Sequence, residues 1–544
     1  MLDMDIQPTL LKDYSIQGKH LIDGTWCGEG ESYFEVLSPV NHDVLGPRFL
    51  EASGEQVSRA VELAHNCFLQ GEELSIDRRA QLLDALASAL EVCQEPLLAR
   101  CMAETAYPLP RAKGELIRTI HQTREFAELL REGSWVDARL DTALPARRPL
   151  ARPDLRSMLR PLGVVGVIGA SNFPFAISVV GTDTVTALAS GCPVVVKGHP
   201  GHPGTCEMLA EIVRETLHQL DLPQALFSLV QGRNHEVGKQ LVSHPRVRAI
   251  AFTGGEEGGR AICRIAAQRD EPIPVFAEMG SVNPVVVLPK AAELNGSRIV
   301  EGFLQSLLLG GGQFCTNPGL LFIPETKAGD ELLLSLQSRF AGVESPTLLN
   351  HRVAADYREG VAARECLPNV DTLRSGVEVS SSSGVLPMLC VVAASDLTPT
   401  LLTEVFGPLS VVARWRDMED LISAVRKLSG QLTATVHCSS DDTADCDELT
   451  RELQWRAGRF VMNGYPTGVE PSYAMHHGGP FPAASLPHFT SIGMGAMKRF
   501  VRPLCYQDVP DELLPRELQD SNPLGLMRLV DGRYSREGVT RPLN

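Results

Sequence analysis

Nowhere in this sequence do two cysteines stand as a CxxC pair, although the chain carries thirteen of them. Their number is odd and they are scattered, so neither a zinc site nor a disulfide framework is expected, and a reducing, cytoplasmic setting is. No stretch reaches the roughly 18 apolar residues of a membrane span. The opening MLDMDIQPTLLKDY lacks the basic start and apolar centre of a signal peptide. There is no basic excess either. The net charge of −16 argues against nucleic acid as a partner. It leaves small anionic substrates open, because those need only a local cation.

What is present is globular: 44% hydrophobic and 21% charged residues in 544, enough for two to three domains. Residues 55–133 read as helices, with apolar residues spaced by three and four in EQVSRAVELAHNCF and DRRAQLLDALASALEVCQEPLLARCM. TALPARRPLARPDLRSMLRPLG then breaks that periodicity, which predicts a hairpin or arm. From Gly163 five apolar runs (LGVVGVIGA, CPVVVKG, ALFSLVQG, VRAIAFTGG and PIPVFAEMG) alternate with four helical segments. The first of these helical segments is PFAISVVGTDTVTALASG. Such alternation predicts a parallel, doubly wound sheet. A second alternating region begins near 284, with strands in NPVVVLP, GLLFIPE, LPMLCVVAA and LSVVARW and helices in RIVEGFLQSLLL and MEDLISAVRKLSG. SSSSG at 380–384 reads as a surface loop.

Ligands bind at the carboxyl ends of parallel strands, which directs attention to GASNFP, VVVKGHPG, FTGGEEGGR and FAEMGS. Gly254, Gly255, Gly258 and Gly259 open a helix and can present backbone N–H groups to a phosphate, or form a plain strand-to-helix turn. The standard GxGxxG fingerprint is missing, since GVVGVIGA only approximates it. Glu278 ends a strand, where partial desolvation would raise its pKa and suit it to act as a base; it can equally be a structural acceptor. The amide of Asn172 can stabilise an oxyanion or cap a turn. Cys315 follows Gly310, Gly311 and Gly312 and precedes Thr316, Asn317 and Pro318. A thiol in so bare a segment is reachable, as a covalent nucleophile must be, whereas most cysteines only pack.

Together these stretches resemble the aldehyde dehydrogenase superfamily, from about Asn41 to about Tyr506. SNFPF is similar to the family's active-site asparagine loop, VVVKGHP to the strand ending in its nucleotide-binding lysine, and FTGGEEGGR to its FTGS turn. FAEMGSVNPVVV is similar to the ELGGK segment, GQFCTNPG to the nucleophile segment, and TEVFGPLSVV to EVFGP. AEMGSVNP, GQFCTNPGL, NGYPTGVEP, HHGGPFPA and RPLCYQDVP further resemble the bacterial 2-oxoglutarate semialdehyde dehydrogenases. Fatty aldehyde dehydrogenases of luminous bacteria look like more distant relatives.

The resemblance implies an α/β fold with two doubly wound parallel-sheet domains plus a small β bridging or oligomerisation element. It places a cofactor-binding domain at 1–133 and 161–276, a catalytic domain at 277–479, the bridging element at 134–160 and 480–507, and a C-terminal tail at 508–544. It implies NAD(P)-dependent oxidation of an aldehyde to an acid through a thiohemiacetal and a thioester on Cys315. Asn172 would hold the oxyanion and Glu278 would activate water. Lys197, His199, Pro200, Thr253, Gly254, Gly255, Gly259, Glu404 and Phe406 would hold the cofactor. NADP is expected over NAD, because no acidic residue stands between Cys192 and Cys206 and Pro200 occupies the place of the family's glutamate. The expected substrate is 2,5-dioxopentanoate, with a medium- or long-chain aliphatic aldehyde as the alternative. Arg147, Arg160 and Arg459 are candidates for the cation such a substrate requires. An acylating enzyme, handing the thioester to coenzyme A, would not need Glu278, and a non-catalytic relative would have lost it or Cys315. No metal is expected, and a homodimer or homotetramer is.

Overall fold

The computed structural model describes residues 11, 14–28, 30, 32–70, 74–377 and 380–539. Its first sheet contains the five predicted strands, all parallel. Across the sheet they run Val275–Glu278, Val247–Thr253, Val164–Ile168, Val194–Lys197 and Phe227–Val230. The antiparallel pair His20–Ile22 and Thr25–Cys27 extends this edge. The earliest strand thus lies between the second and the fourth, and the helix leaving it packs on the opposite face from the helix that leads from the third strand to the fourth. A crevice opens there, between the segments after Ile168 and after Thr253.

Four helices, Gly54–Gln70, Ile76–Val92, Gln94–Thr105 and Leu109–Glu132, precede the parallel strands; the first packs on the sheet, and the other three pack on one another and on the helices that follow the first two parallel strands. One predicted helix is shorter than its pattern. Residues 174–181 form successive turns, and the helix is confined to Thr182–Ala189. Gly181 sits so close to Ala176 that a Cβ on it would lie 2.4 Å from the Ala176 carbonyl oxygen. That approach closes a compact turn instead of a helix.

The second sheet runs Asp371–Arg374, Met388–Ala393, Leu409–Trp415, Leu320–Pro324, Pro284–Val287, Gln431–His437 and Ala457–Met462, with only its first strand antiparallel. The last two strands go beyond the sequence reading, because QLTATVH and AGRFVM mix polar residues and glycine into their runs. The segment at 380–384 is more than a surface loop. Ser383 is fully buried and bonds the ring of His351, while Ser381 and Ser382 donate to the Pro39 carbonyl.

A third sheet pairs Val501–Gln507 with Leu155–Pro161, then Arg139–Asp141, Arg528–Val530 and Arg533–Ser535. The predicted hairpin at 134–160 forms its middle. Residues 480–500, expected in the same element, pack instead on the end of the first sheet, where Met279 N donates to Ala483 O at 2.8 Å. The C-terminal segment supplies two of the five strands.

Arg156 ties that segment down. Its side chain is 1% exposed and reaches Asp154 at 2.8 Å, Asp520 at 2.6 Å and the Leu518 carbonyl at 2.6 Å. Removing one partner from a buried ionic cluster leaves the others uncompensated. Arg156→Ala is therefore expected to cost about 3 kcal/mol and to expose the segment after Pro510 to limited proteolysis. An unchanged cleavage pattern and thermal midpoint would show that the anchor lies elsewhere.

Candidate active site

The two larger sheets present opposite ends to one another. Glu278 is the last residue of a first-sheet strand. Cys315 stands five residues before Leu320, where a second-sheet strand begins. Between Leu309 and the thiol the chain must reverse within a few residues. Gly310, Gly311 and Gly312 do this with φ of 58°, 68° and 72°, three successive residues in the left-handed region where a Cβ is penalised. Gly312 also lies against the EVFGP segment, where a Cβ would meet the Gly407 carbonyl carbon at 2.4 Å.

Two asparagines fix the turn. Asn283 Nδ2 donates to the carbonyls of Cys315 at 2.8 Å and Asn317 at 2.9 Å. Asn317 Nδ2 donates to Gly407 O at 3.1 Å. Asn172 is buried, with Nδ2 3.1 Å from the Gln313 carbonyl, while its own carbonyl accepts from Tyr107 and Arg111. One amide hydrogen of Asn172 is thereby used and the second is free to face a ligand.

The structure adds His477, from HHGGPFPA. Its ring is fully buried, and Nε2 lies 3.4 Å from Cys315 Sγ and 3.0 Å from Glu278 Oε1. The sulfur, the imidazole nitrogen and a carboxylate oxygen all lie within 4.8 Å of one another. Ser491 donates to the other carboxylate oxygen. The histidine was visible in the sequence as part of a resembling motif, but nothing local marked it as chemical.

Electrostatics correct one expectation. Burial pushes Glu278 up, yet the His477 ring and the Ser491 hydroxyl outweigh it and hold the carboxyl below the usual range. Glu278 is held toward its ionised form, with the His477 ring nitrogen 3.0 Å from its oxygen. The thiol moves the other way. Burial raises Cys315 well above its ordinary value, and the charges of Glu278 and Glu404 add to this, while Arg118 opposes them. Cys315 therefore rests as a thiol.

Along the crevice, Lys197 ends its strand, and burial lowers its ammonium to about 8. His199 and Pro200 follow in the turn. The His199 ring stacks on His202 at 5.2 Å, accepts from Gly201 N and is held well below its usual pKa by burial and its cationic neighbours. It therefore brings no charge. Thr253 lies opposite Glu278 across the sheet, and Gly254 N donates to Glu278 O at 3.1 Å. Gly255 precedes helix Glu256–Ala267, with no side chain capping the turn and open space where a Cβ would be. Gly259 lets Met279 pack, since a Cβ would lie 2.4 Å from its sulfur. Glu404 and Phe406 line a pocket with Gly312 and Phe314, and burial pushes Glu404 up to about 8.

The sequence matches the aldehyde dehydrogenase family over residues 26–356. The chain belongs to that family. It is 43% identical over 489 residues to alpha-ketoglutaric semialdehyde dehydrogenase 2 of Azospirillum brasilense, covering 90% of this chain and 93% of the relative. It is 40% identical over 518 residues to alpha-ketoglutaric semialdehyde dehydrogenase of Acinetobacter baylyi, covering 95% and 98%. Among solved structures, the fold superposes on an NAD+ complex of aldehyde dehydrogenase from Bacillus cereus with a TM-score of 0.76 at 22% identity, covering 90% and 96%. It also superposes on 3,6-anhydro-L-galactose dehydrogenase in complex with NAP, with a TM-score of 0.76 at 20% identity, covering 90% and 99%.

Because Glu278 holds the thiol proton in place, Glu278→Gln should lower the Cys315 pKa and speed alkylation by iodoacetamide at neutral pH severalfold. The parent rate should rise with pH and overtake that of the variant only in alkaline solution. A slower reaction in the variant at every pH would mean that the carboxylate is needed to deprotonate the thiol.

Proposed function

We propose that this aldehyde dehydrogenase oxidises 2,5-dioxopentanoate to 2-oxoglutarate, with NADP preferred to NAD. The observation that carries the substrate is the identity of 43% and 40%, over nearly the whole chain, to two alpha-ketoglutaric semialdehyde dehydrogenases. The site supports the chemistry. Cys315 loses its proton to solvent and its Sγ, as the thiolate, attacks the aldehyde carbon. The free hydrogen of Asn172 Nδ2 and the backbone N–H of Cys315 face the resulting oxyanion. A nicotinamide bound beside Glu404 and Phe406 would supply the hydride acceptor that lets the adduct on Cys315 become a thioester. Glu278, ionised and aligned by His477 and Ser491, takes a proton from water, which hydrolyses the thioester. An ionised carboxylate beside the thiol favours hydrolysis over transfer to coenzyme A.

The residues present suit a dinucleotide. The uncapped turn at Gly255 leaves backbone N–H groups for a phosphate. Lys197 and the loop through Pro200 face the adenosine end, and Glu404 and Phe406 the nicotinamide ribose and ring. The small sheet, with its long edge strand Val501–Gln507, is read as the pairing element of a homodimer or homotetramer. The thirteen free cysteines suit the cytoplasm.

A panel of aldehydes tests the substrate. The parent enzyme should show its highest kcat/KM with 2,5-dioxopentanoate, and Cys315→Ala should show no turnover with any member. A preference for hexanal or decanal would replace the assignment with an aliphatic one.

The cofactor preference has a pH signature. Protonated Lys197 is the form that pairs with a 2′-phosphate. That contact is complete below its pKa of about 8 and is lost as pH rises through the value in the complex. NADP affinity should therefore fall in alkaline solution while NAD affinity stays level. Pro200→Glu should weaken NADP by about one to two decades and NAD far less. Equal kcat/KM with the two cofactors, or a ratio unmoved by Pro200→Glu, would refute the preference.

A further inference from the structure

Two arginines beside the nucleophile take no part in the chemistry above. Arg118, in helix Leu109–Glu132, and Arg459, in strand Ala457–Met462, are both half-buried. Arg118 flanks the thiol from the side of the asparagine loop. Its Cζ lies 5.2 Å from the Phe173 ring centre, and Phe173 meets Phe314 edge to face at 5.4 Å. These two rings are the immediate neighbours of Asn172 and Cys315. Arg459 comes from a strand that packs beside His477. Its neighbour Gly458 abuts Gly478, with a Cβ position 1.9 Å from the Gly478 carbonyl oxygen, and Gly478 follows His477.

Both arginines hold one loop. Arg118 Nη1 donates to Val469 O at 3.2 Å. Arg459 donates through Nη1 to Gly468 O at 3.0 Å and through Nη2 to Pro466 O. A guanidinium carries five N–H donors, so most remain for a ligand. Arg111, between them and Asn172, is already paired with Glu115 at 2.9 Å; among the described residues, Arg118 and Arg459 form no ion pair. The charge of each acts on Cys315. The other candidates from the sequence lie elsewhere: Arg147 is exposed in the arm, bonding Leu150 O, and Arg160 faces Arg502 in the small sheet.

We propose that Arg118 and Arg459, brought together by loop 466–469, form a clamp for the carboxylate at the far end of the substrate; this rests on the assignment of a 2-oxo acid semialdehyde as substrate. Guanidinium forks match a carboxylate in shape and charge, and two of them leave the aldehyde end free to reach the sulfur. The aromatic wall of Phe173 and Phe314 covers the chain between.

The test compares Arg118→Gln, Arg459→Gln and the matching lysine variants on two aldehydes, 2,5-dioxopentanoate and pentanal, with glutarate as a dead-end inhibitor. Each glutamine variant should lose about ten- to a hundredfold in kcat/KM for 2,5-dioxopentanoate, chiefly through KM. Pentanal should lose much less, only the part that follows from removing a cation beside the thiol, and the lysine variants, which keep the charge, should recover part of the loss. Glutarate inhibition should weaken in parallel. Equal losses on both aldehydes, with NADP binding and thermal midpoint also disturbed, would make the arginines supports of the loop and overturn the clamp. An unchanged ratio would also overturn it. A parent enzyme that prefers pentanal would instead overturn the substrate assignment. Glutarate then still decides the clamp, because it needs only the carboxylate: inhibition lost in both glutamine variants supports it, and inhibition retained refutes it.

Discussion

The site is organised around one unfavourable neighbourhood: a thiol and an ionised carboxylate buried together. Neither group is comfortable. Burial disfavours the charged form of both, and each disfavours the charge of the other. The single imidazole nitrogen of His477, 3.0 Å from Glu278 Oε1 and 3.4 Å from Cys315 Sγ, makes the arrangement tolerable. The segment that carries it is shaped by the same need. Residues 480–491 lie across the end of the first sheet, where Ala484 bridges Glu278 and Ser491 reaches its free oxygen. Had these residues joined the small sheet instead, Glu278 would be buried without enough donors and would stay protonated.

The second constraint is that the sheets meet head to foot. Glu278 and the Gly254 turn come from carboxyl ends of the first sheet, whereas Cys315, Glu404 and Phe406 come just before strands of the second. Chain must therefore pack on chain where side chains would normally intervene. Gly312 against Gly407 and Gly280 against Glu404, where a Cβ would lie 2.4 Å from the carboxyl oxygen, are the places where this happens. Asn283 and Asn317 then replace the hydrogen bonds that regular structure would supply.

This geometry explains what could be read from the sequence. The five strands of the first sheet are continuous apolar runs bounded by glycine, so periodicity locates them. The rule that ligands gather at carboxyl ends finds Asn172, Lys197, Thr253 and Glu278, but it has no purchase on Cys315 and Glu404, which sit at amino ends. Bare glycines and motif resemblance found those two. His477 escaped because two histidines before two glycines look like any polar turn. The ionised state of Glu278 escaped for a related reason: its partners lie about 200 residues away in sequence, and burial alone points to the opposite shift. The strands at 431–437 and 457–462 were hidden by polar residues that prove to be buried, among them Thr433 and Thr435. Thr433 gives its hydroxyl to Asn283, which in turn holds the Cys315 turn.

A protein of net charge −16 and an anionic substrate are compatible for a local reason. Surface charge acts through water and is screened within about 10 Å, while a half-buried guanidinium beside the thiol is screened far less. The same cation has a second effect. Arg118 favours the thiolate, against Glu278 and Glu404, which oppose it. A neutral aldehyde would leave that balance as it stands. An anionic one, held by the arginines, would cancel part of their field and favour the protonated thiol just as the aldehyde arrives. A charge made on the sulfur is then costly on every side, so the site favours a substrate that draws the charge onto its own oxygen as it forms.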